Sequence, residues 1–299
     1  MTERLMYLGY AIAWKVIRTL PENFVYAQAA KIGSYLHRKN GKGVRRMRSN
    51  YARIRPGLNA GQLEALVEAG MQSYLRYWVD TFRSPSWDRE RTLSTVVIDH
   101  EEYLRQPMTE GRGCIVALPH AGNWDHAGSY FCQTGAPLTT VAEHLKPERL
   151  FQRFLAYREA IGMEVLDLNS RAIATLSQRL RSGKLVALVA DRDLSKNGID
   201  VDFAGYPARL PGGPALLAIQ TGAPLITAFV GYEGKGIRII FGPEIPVPIS
   251  GTTSEKAATM TQLVADWFAD HIARDTEDWH MLQRIWIDGD FVDRESSAA

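Results

Sequence analysis

The sequence predicts an α/β protein with a mostly parallel mixed sheet covered by helices and preceded by a helical N-terminal lead-in. From about residue 113, short apolar runs alternate with amphipathic stretches, a pattern typical of parallel strands joined by helices. The last two runs, 224–230 and 237–241, flank Glu233-Gly-Lys-Gly236, which predicts a hairpin and an antiparallel part at the end. Residues 1–85 show helical periodicity, which predicts the lead-in.

Length and composition bound the organisation of the chain. We interpret residues 1–299 as a single domain, in which 1–85 form the lead-in and 86–299 the α/β core. The longest apolar runs, 185–190 and 223–230, are shorter than the ~18 residues that suggest a membrane span, and we expect no cleavable signal peptide. The two cysteines give neither a disulfide framework nor metal-ligand spacing, which suits a reducing cytoplasm.

Residues 3–20 predict an amphipathic helix that ends at Pro21. Apolar residues recur at helical spacing and an aromatic stripe accompanies them: Leu5, Leu8, Ile12, Val16 and Leu20, with Tyr7, Tyr10 and Trp14. This helix either packs on the core or lies in a membrane interface, where aromatic rings and basic side chains are both favoured.

A basic cluster follows at residues 38–55, and no acidic residue occurs between Glu22 and Glu64. Such a cluster is either a solvated helix face, a nucleic-acid site or a surface for anionic lipid. No nucleic-acid recognition motif accompanies the charge, whereas an adjacent amphipathic helix favours lipid. A further helix is predicted at 62–83.

The elements of the core are assigned by length and periodicity, with short apolar runs as strands and longer amphipathic stretches as helices. The predicted strands are 95–98, 114–118, 138–142, 165–168, 185–190, 224–230 and 237–241, and the predicted helices are 101–105, 125–134, 148–161, 171–182, 212–221 and 254–274. A loop is predicted after strand 185–190.

The strand at 114–118 ends at Pro119 and is followed by His120, Asn123 and Asp125. These polar groups are therefore expected at the carboxyl end of a buried strand, where open α/β sheets bind ligands. A histidine can act as a general base while a carboxylate orients its ring, provided that the chain bends between His120 and Asp125. The alternative is a loop histidine beside an Asp125 that caps a helix.

The string Pro119-His-Ala-Gly-Asn-Trp-Asp125 resembles the HxxxxD motif of the bacterial glycerolipid and lipid A (lauroyl/myristoyl) acyltransferases. Two later stretches, Thr140-Val-Ala-Glu-His-Leu-Lys-Pro-Glu-Arg149 and Tyr157-Arg-Glu-Ala-Ile-Gly-Met-Glu-Val-Leu166, look like the phosphatidylinositol mannoside acyltransferases of that group. The closing segment, Trp279-His-Met-Leu-Gln-Arg-Ile-Trp286, resembles the end of the lipid A branch. We expect His280 in this segment to be structural.

The resemblance implies a peripheral enzyme on the cytoplasmic face of the cell membrane, with a glycerolipid acyltransferase-like fold. It would move a long, palmitoyl-like acyl group from acyl-CoA to a mannose hydroxyl of a phosphatidylinositol mannoside. Acyl-CoA would be a co-substrate, with no cofactor, metal or nucleic acid and with an anionic membrane surface as partner. No Ser or Cys nucleophile is obvious near His120 except Cys114, which the pattern buries, so direct attack by the acceptor hydroxyl is favoured over a covalent enzyme intermediate.

Asp191 follows strand 185–190 just as His120 follows 114–118, and adjacent parallel strands would bring the two loops to one crevice. Asp191 is therefore a candidate to contact His120 or the acceptor sugar, and the resembled family carries a supporting acidic residue here. A salt bridge between Asp191 and Arg192 is the alternative. We expect Asn123, Arg192 and Asp193 to contact substrate.

Glu143 follows strand 138–142, and Arg158 lies in the next predicted helix. Both match the mannoside acyltransferase pattern, which implies a charge pair lining the acceptor pocket. Arg158 holding a phosphate and a purely structural pair are the alternatives.

Gly212 and Gly213 precede a predicted helix, where glycines let backbone N–H groups approach an anion, although Gly-Gly-Pro is also an ordinary turn. Neither a Walker loop nor a dinucleotide fingerprint is present, so we expect no nucleotide hydrolysis and no dinucleotide cofactor. Two further functions stay open: a lipid A-type late acyltransferase that uses acyl carrier protein, and a non-catalytic lipid-binding protein.

Overall fold

A computed structural model describes Gly9 and residues 14–142, 148–167, 171–193 and 198–289. Its centre is a seven-stranded sheet in the order β1-β9-β8-β2-β5-β3-β4, and an antiparallel hairpin, β6–β7, stands apart from it. Neighbouring strands of the large sheet are parallel except β8 and β9. The strands are β1 (Val96–Asp99), β2 (Cys114–Leu118), β3 (Leu138–Ala142), β4 (Glu164–Asp167), β5 (Leu185–Val189), β6 (Ile199–Phe203), β7 (Tyr206–Leu210), β8 (Leu225–Glu233) and β9 (Gly236–Phe241). This confirms the predicted fold class.

The helices surround the sheet and also form the N-terminal part of the described chain. They are α1 (Glu22–Lys39), α2 (Lys42–Ile54), α3 (Ala60–Arg83), α4 (Arg89–Ser94), α5 (Glu102–Thr109), α6 (Trp124–Gln133), α7 (Glu148–Ala160), α8 (Ala172–Arg181), α9 (Gly213–Thr221) and α10 (Thr253–Arg274). In the ranges described above, none of them combines the length and the apolar character that crossing a bilayer requires.

Two hydrophobic cores pack against opposite faces of the sheet. Alternate residues of a strand point to opposite faces, and β2 shows this directly. Ile115 and Ala117 join α2, α3, α8, α9 and α10 in one core, whereas Val116 and Leu118 join α5 and α6 in the other. Both faces of the central strand are therefore covered, which explains why its sequence is apolar throughout.

The lead-in is packed against the rest of the protein. Trp14 is only 4% exposed and lies among Phe82, Phe154 and Tyr157. Of the two alternatives for the predicted 3–20 helix, packing on the core is the one found at Trp14, because burying a large indole among other aromatic rings stabilises the fold and withdraws it from any lipid surface. Tyr7 and Tyr10 lie outside the described residues.

Two parts of the fold were predicted without their detail or differently. Residues 22–54 lie in the predicted helical lead-in and form two helices, which separate at Asn40 in a left-handed conformation with a φ of 49°. The region after strand β5, expected to be a loop, contains the β6–β7 hairpin, whose turn has φ values of 55° at Ala204 and 83° at Gly205.

Candidate active site

Strand register brings His120 and Asp191 together. Strands β2 and β5 are parallel neighbours, and Leu118 at the end of β2 is the partner of Val189 at the end of β5. His120 and Asp191 each lie two residues beyond these partners. Their side chains meet at the carboxyl edge of the sheet, where His120 Nδ1 lies 2.6 Å from Asp191 Oδ1. The expected contact between the two loops is present.

Asp191 is fully buried and receives three hydrogen bonds. Besides the ring contact, the backbone N–H of His120 donates to Asp191 Oδ2 at 2.9 Å, and the Trp279 indole N–H donates to the same oxygen at 2.8 Å. Burial by itself raises the pKa of Asp191, but the charge of His120 and these hydrogen bonds outweigh burial and lower it. Asp191 is thus held as a carboxylate, which favours a proton on His120 Nδ1.

The other ring nitrogen of His120 has a different environment. The side chain of His120 is 26% exposed, and within the described part of the chain Nε2 has no hydrogen-bond partner. A neutral imidazole with its proton on Nδ1 carries a lone pair on Nε2. This nitrogen is therefore the atom that can accept a proton from a bound molecule.

A C-terminal segment clamps the turn that carries His120. The backbone N–H of His280 donates to the His120 carbonyl at 2.8 Å, and the N–H of Gly122 donates to the Asp278 carbonyl at 2.8 Å. Between them, Ala121 and Trp279 form an isolated antiparallel bridge. The backbone of His120 is therefore held from two sides, by Asp191 and by residues 278–280.

Gly122 allows the turn to fit this close space. Its φ is 55°, and a Cβ on this residue would lie 2.4 Å from the Val230 carbonyl oxygen. Only glycine avoids both the left-handed strain and the collision with backbone.

Asp125 has other partners than the one expected. Its Oδ1 accepts a hydrogen bond from Arg158 Nε at 2.9 Å, and its Oδ2 accepts one from the Tyr77 hydroxyl at 3.0 Å. The expected role of Asp125 in orienting His120 is corrected by this geometry, because the carboxylate at Nδ1 is Asp191. Asp125 lies in the first turn of α6, and the helix cap is Asn123 instead.

Asn123 supports the turn from inside the protein. Its side-chain oxygen accepts from the His126 N–H at 2.9 Å, and its amide nitrogen donates to Asp80 Oδ2 at 3.3 Å. The residue is 1% exposed, so the structure places it in a supporting position and not in the exposed one that the expected substrate contact requires.

The remaining predicted residues are distributed around this edge. Arg192 donates to the Gln283 side chain and not to Asp191, so the alternative salt bridge is not the arrangement found. The backbone N–H of Asp193 donates to the Arg209 carbonyl in β7. Gly212 caps α9 and lies so close to Ile199 that a Cβ would come within 2.7 Å of its Cδ1, whereas Gly213 has open space. Glu143 lies outside the described residues.

Sequence reasoning did not assign a site position to Trp279 or Tyr77. Trp279 is 88 positions from Asp191 and Tyr77 is 48 from Asp125, so no local spacing links them. The aromatic contacts near His120 were also not predicted from the sequence. The Trp124 ring meets the His120 ring edge to face with a centroid separation of 5.6 Å and stacks on the Tyr77 ring at 4.3 Å. The resemblance of the 279–286 segment to a family ending was the only signal for Trp279.

The similarity of this sequence to known proteins extends over almost the whole chain. The family model for bacterial lipid A biosynthesis acyltransferases matches residues 1–287. The phosphatidylinositol mannoside acyltransferase of Mycolicibacterium smegmatis is 41% identical over 286 residues, which cover 94% of this chain and 91% of that protein. The protein of the same name from Mycobacterium tuberculosis is 41% identical over 284 residues, 93% of this chain and 88% of its own. This chain therefore belongs to the bacterial lipid A biosynthesis acyltransferase family.

Proposed function

We propose that this acyltransferase moves a long-chain, palmitoyl-like acyl group from acyl-CoA to a mannose hydroxyl of a phosphatidylinositol mannoside. The observation that carries the chemistry is the His120–Asp191 pair, with Nδ1 held by a buried carboxylate and Nε2 left for a substrate. The acceptor is supported by the names of two relatives that are about 41% identical over most of the chain.

In this mechanism His120 is the general base and Asp191 holds its ring. As the acceptor hydroxyl gives its proton to His120 Nε2, its oxygen attacks the thioester carbonyl and forms a tetrahedral oxyanion. The carbon–sulfur bond then breaks, and the departing CoA sulfur takes the proton from the imidazolium. The Asp191 carboxylate stabilises the imidazolium between these steps without taking its proton.

The cysteines support direct transfer without an acyl-enzyme. Cys114 lies in β2 and is fully buried, and burial raises the pKa of its thiol to about 12. Burial also raises the pKa of the half-buried Cys132. A thiol attacks as its thiolate, so neither group is prepared for nucleophilic catalysis.

We propose that the hydrogen-bond donors to the oxyanion are backbone N–H groups of the 120–125 turn. The backbone N–H groups of His120, Ala121 and Gly122 already donate within the protein. In the described chain, the N–H groups of Asn123, Trp124 and Asp125 have no such acceptor, and they begin helix α6. N–H groups at the start of a helix favour negative charge, so these three are the remaining candidates.

We place the acceptor sugar beside Trp124 and the Asp125–Arg158 pair. Arg158 is partly exposed while its Nε is fixed by Asp125, so the rest of its guanidinium is available to a hydroxyl or a phosphate. Glu143 stays a predicted member of this pocket, and Arg192, Asp193, Gly212 and Gly213 stay predicted substrate contacts.

We further propose reversible attachment to an anionic membrane surface on the cytoplasmic side, through α1. Phe24, Ile32 and Tyr35 are about half exposed and lie within an arc of about 80° on this helix. Lys31 and Lys39 flank the same face. Several basic groups of the 38–55 cluster are engaged within the protein: Arg48 with Glu64, Arg53 with Asp288 and Arg55 with a backbone carbonyl. We therefore assign the membrane-facing role to the outer face of α1 and not to Trp14.

A donor and acceptor matrix tests the proposal. Purified protein would be incubated with labelled palmitoyl-CoA or palmitoyl acyl carrier protein, each with vesicles that contain mannolipid, a lipid A precursor or neither. Product on the mannolipid from palmitoyl-CoA is the expected result. Product only from the carrier protein and the lipid A precursor would support the late-acyltransferase alternative, and binding without any product would support a lipid-binding protein.

A further inference from the structure

The Asp191 carboxylate has a third partner that lies far away in the sequence. Trp279 is completely buried, and its indole N–H reaches Asp191 Oδ2 at 2.8 Å. A buried carboxylate is costly unless donors satisfy it, and Asp191 has no exposure to water. Without the indole, Oδ2 would keep only the backbone N–H of His120.

The indole is itself held firmly in place. The Tyr51 hydroxyl donates to the Trp279 carbonyl at 2.8 Å, and the Tyr51 ring stacks on the indole with a centroid separation of 6.3 Å. Phe203 packs against another side of Trp279 at 6.1 Å. The backbone bridge to Ala121 ties the same residue to the His120 turn. The donor therefore has one position relative to both members of the pair.

We propose that Trp279 is a positioning residue of the acyl transfer: its N–H engages Asp191 Oδ2 so that Oδ1 faces His120 Nδ1. This inference rests on the proposed function. The indole also sets how tightly the pair binds a proton, because a donor to the carboxylate favours its ionised form. The indole contacts neither substrate nor reacting atoms in this role.

The sign of the expected pH effect follows from that contact. His120 Nδ1 and Asp191 Oδ1 are only 2.6 Å apart, so a change in the hydrogen bonding of the carboxylate acts directly on the imidazole. Loss of the indole donor makes the carboxylate a stronger attractor for the proton on His120. The pair must then be deprotonated at a higher pH before Nε2 can act as a base, so the acid limb of the kcat profile moves upward.

Trp279→Phe removes the donor, and Trp286→Phe is its matched control. Trp286 is also buried, packs on Phe203, and donates its indole N–H to Asn50 at 2.9 Å, away from the pair. In Trp279→Phe we expect kcat to fall about 10-fold to 100-fold, the range for a hydrogen bond to a charged group, with little change in KM. The acid limb should rise by about one pH unit, which corresponds to a tenfold change in proton affinity. Trp286→Phe should leave the limb in place.

A second replacement covers the case in which phenylalanine unfolds the protein. Incorporation of β-(3-benzothienyl)alanine at position 279 keeps the indole shape and removes only the N–H donor. It should reproduce the shift of the limb, and the same residue at position 286 should not.

An imidazole titration separates this inference from the proposed function. Nitrogen-15 NMR of His120, assigned with His120→Gln, reads the protonation of the pair without any substrate. A higher midpoint in the position-279 variants than in the wild type supports the inference even if no acyl transfer is found. An unchanged midpoint in folded position-279 variants, or an equal change in the position-286 variants, would overturn it.

Discussion

Asp125 and Asp191 are both buried near His120, yet the structure gives them different partners. Asp191 holds the ring and backbone of His120, whereas Asp125 holds Arg158 and Tyr77. The HxxxxD motif predicted that Asp125 orients His120. The carboxylate next to the base is instead supplied by the neighbouring strand.

This division predicts different kinetic losses. Asp191→Asn should lower kcat by about 10³–10⁴-fold, because an amide at this position stabilises the wrong tautomer of the base. Asp125→Asn should act mainly on the mannolipid KM, raising it about 10-fold to 100-fold, since Arg158 loses its charged partner. Steady-state kinetics with each substrate varied in turn would measure both. A larger kcat loss in Asp125→Asn than in Asp191→Asn would reverse the assignment.

A further buried acid, Asp278, makes stability depend on pH. Asp278 receives hydrogen bonds from the Ser73 hydroxyl and the Tyr232 N–H, each at 2.6 Å, but burial raises its pKa to about 6. Its folded-state pKa is thus above the unfolded value of about 3.9. The stability that this group contributes is fully present below about pH 4 and is lost as pH rises through about 6.

Asp278→Asn removes that titration and keeps a side chain of the same shape. The free energy of unfolding of the variant, relative to the wild type, should therefore increase between pH 4 and pH 7 by on the order of 2 kcal/mol. Urea unfolding at a series of pH values would measure the difference. A difference that stays constant over this range would show that Asp278 does not carry the pH dependence.

At the scale of structural elements, the turn between β2 and α6 depends on one glycine. Gly122→Ala should destabilise the protein by on the order of 1–3 kcal/mol and also lower kcat, because the strained backbone must move away from Val230. Gly222→Ala is the control, since Gly222 has a similar φ of 73° but open space around its Cβ position.

Thermal melts and activity assays of the two variants would separate strain from collision. We expect Gly222→Ala to cost stability alone. Full activity in a well-folded Gly122→Ala would contradict the tight fit of the turn.

The outer face of α1 gives a prediction about lipid binding. Ile32→Ser should weaken co-sedimentation with vesicles that contain phosphatidylinositol, because it removes an apolar side chain from the proposed interface. Ile173→Ser on α8 is the matched control, since Ile173 is 58% exposed and Ile32 is 49% exposed. Binding by the wild type should also weaken with salt, which screens exposed charges beyond about 8–10 Å. Equal losses in both variants, or binding indifferent to salt and lipid charge, would contradict docking through α1.

The elements with strong apolar runs were predictable, and those with mixed patterns were not. Strands β2 and β3 match the predicted bounds: β2 is apolar throughout, as a buried parallel strand is, and β3 is rich in β-branched residues. In β6, Asp200 and Asp202 alternate with apolar residues over only five positions, a signal too short to separate from a loop. The surroundings of Trp14 were also left open, since an amphipathic pattern does not reveal whether its partner is protein or lipid.

For the molecule as a whole, the location of the site was predicted from the residues that follow the ends of two strands. The residues after 114–118 and 185–190 met as expected, since the carboxyl ends of parallel neighbours share one edge. The choice between Asp125 and Asp191 depends on the register of β2 with β5 and on the bend at Gly122, which residue spacing does not encode. The clamp by residues 278–280 arises from chain segments about 160 positions apart, beyond the reach of any local pattern.

The central claim is that His120 activates an acceptor hydroxyl for direct attack on the acyl donor. Single-turnover mixing of excess protein with palmitoyl-CoA, with and without mannolipid, tests it most directly when CoA release and the intact protein mass are followed together. We predict CoA release that requires mannolipid, no acylated protein at any time, and a rate about 10²–10⁴-fold lower in His120→Ala. A burst of CoA without acceptor together with a protein mass raised by one acyl group, or His120→Ala retaining more than about a tenth of the wild-type rate, would contradict the account.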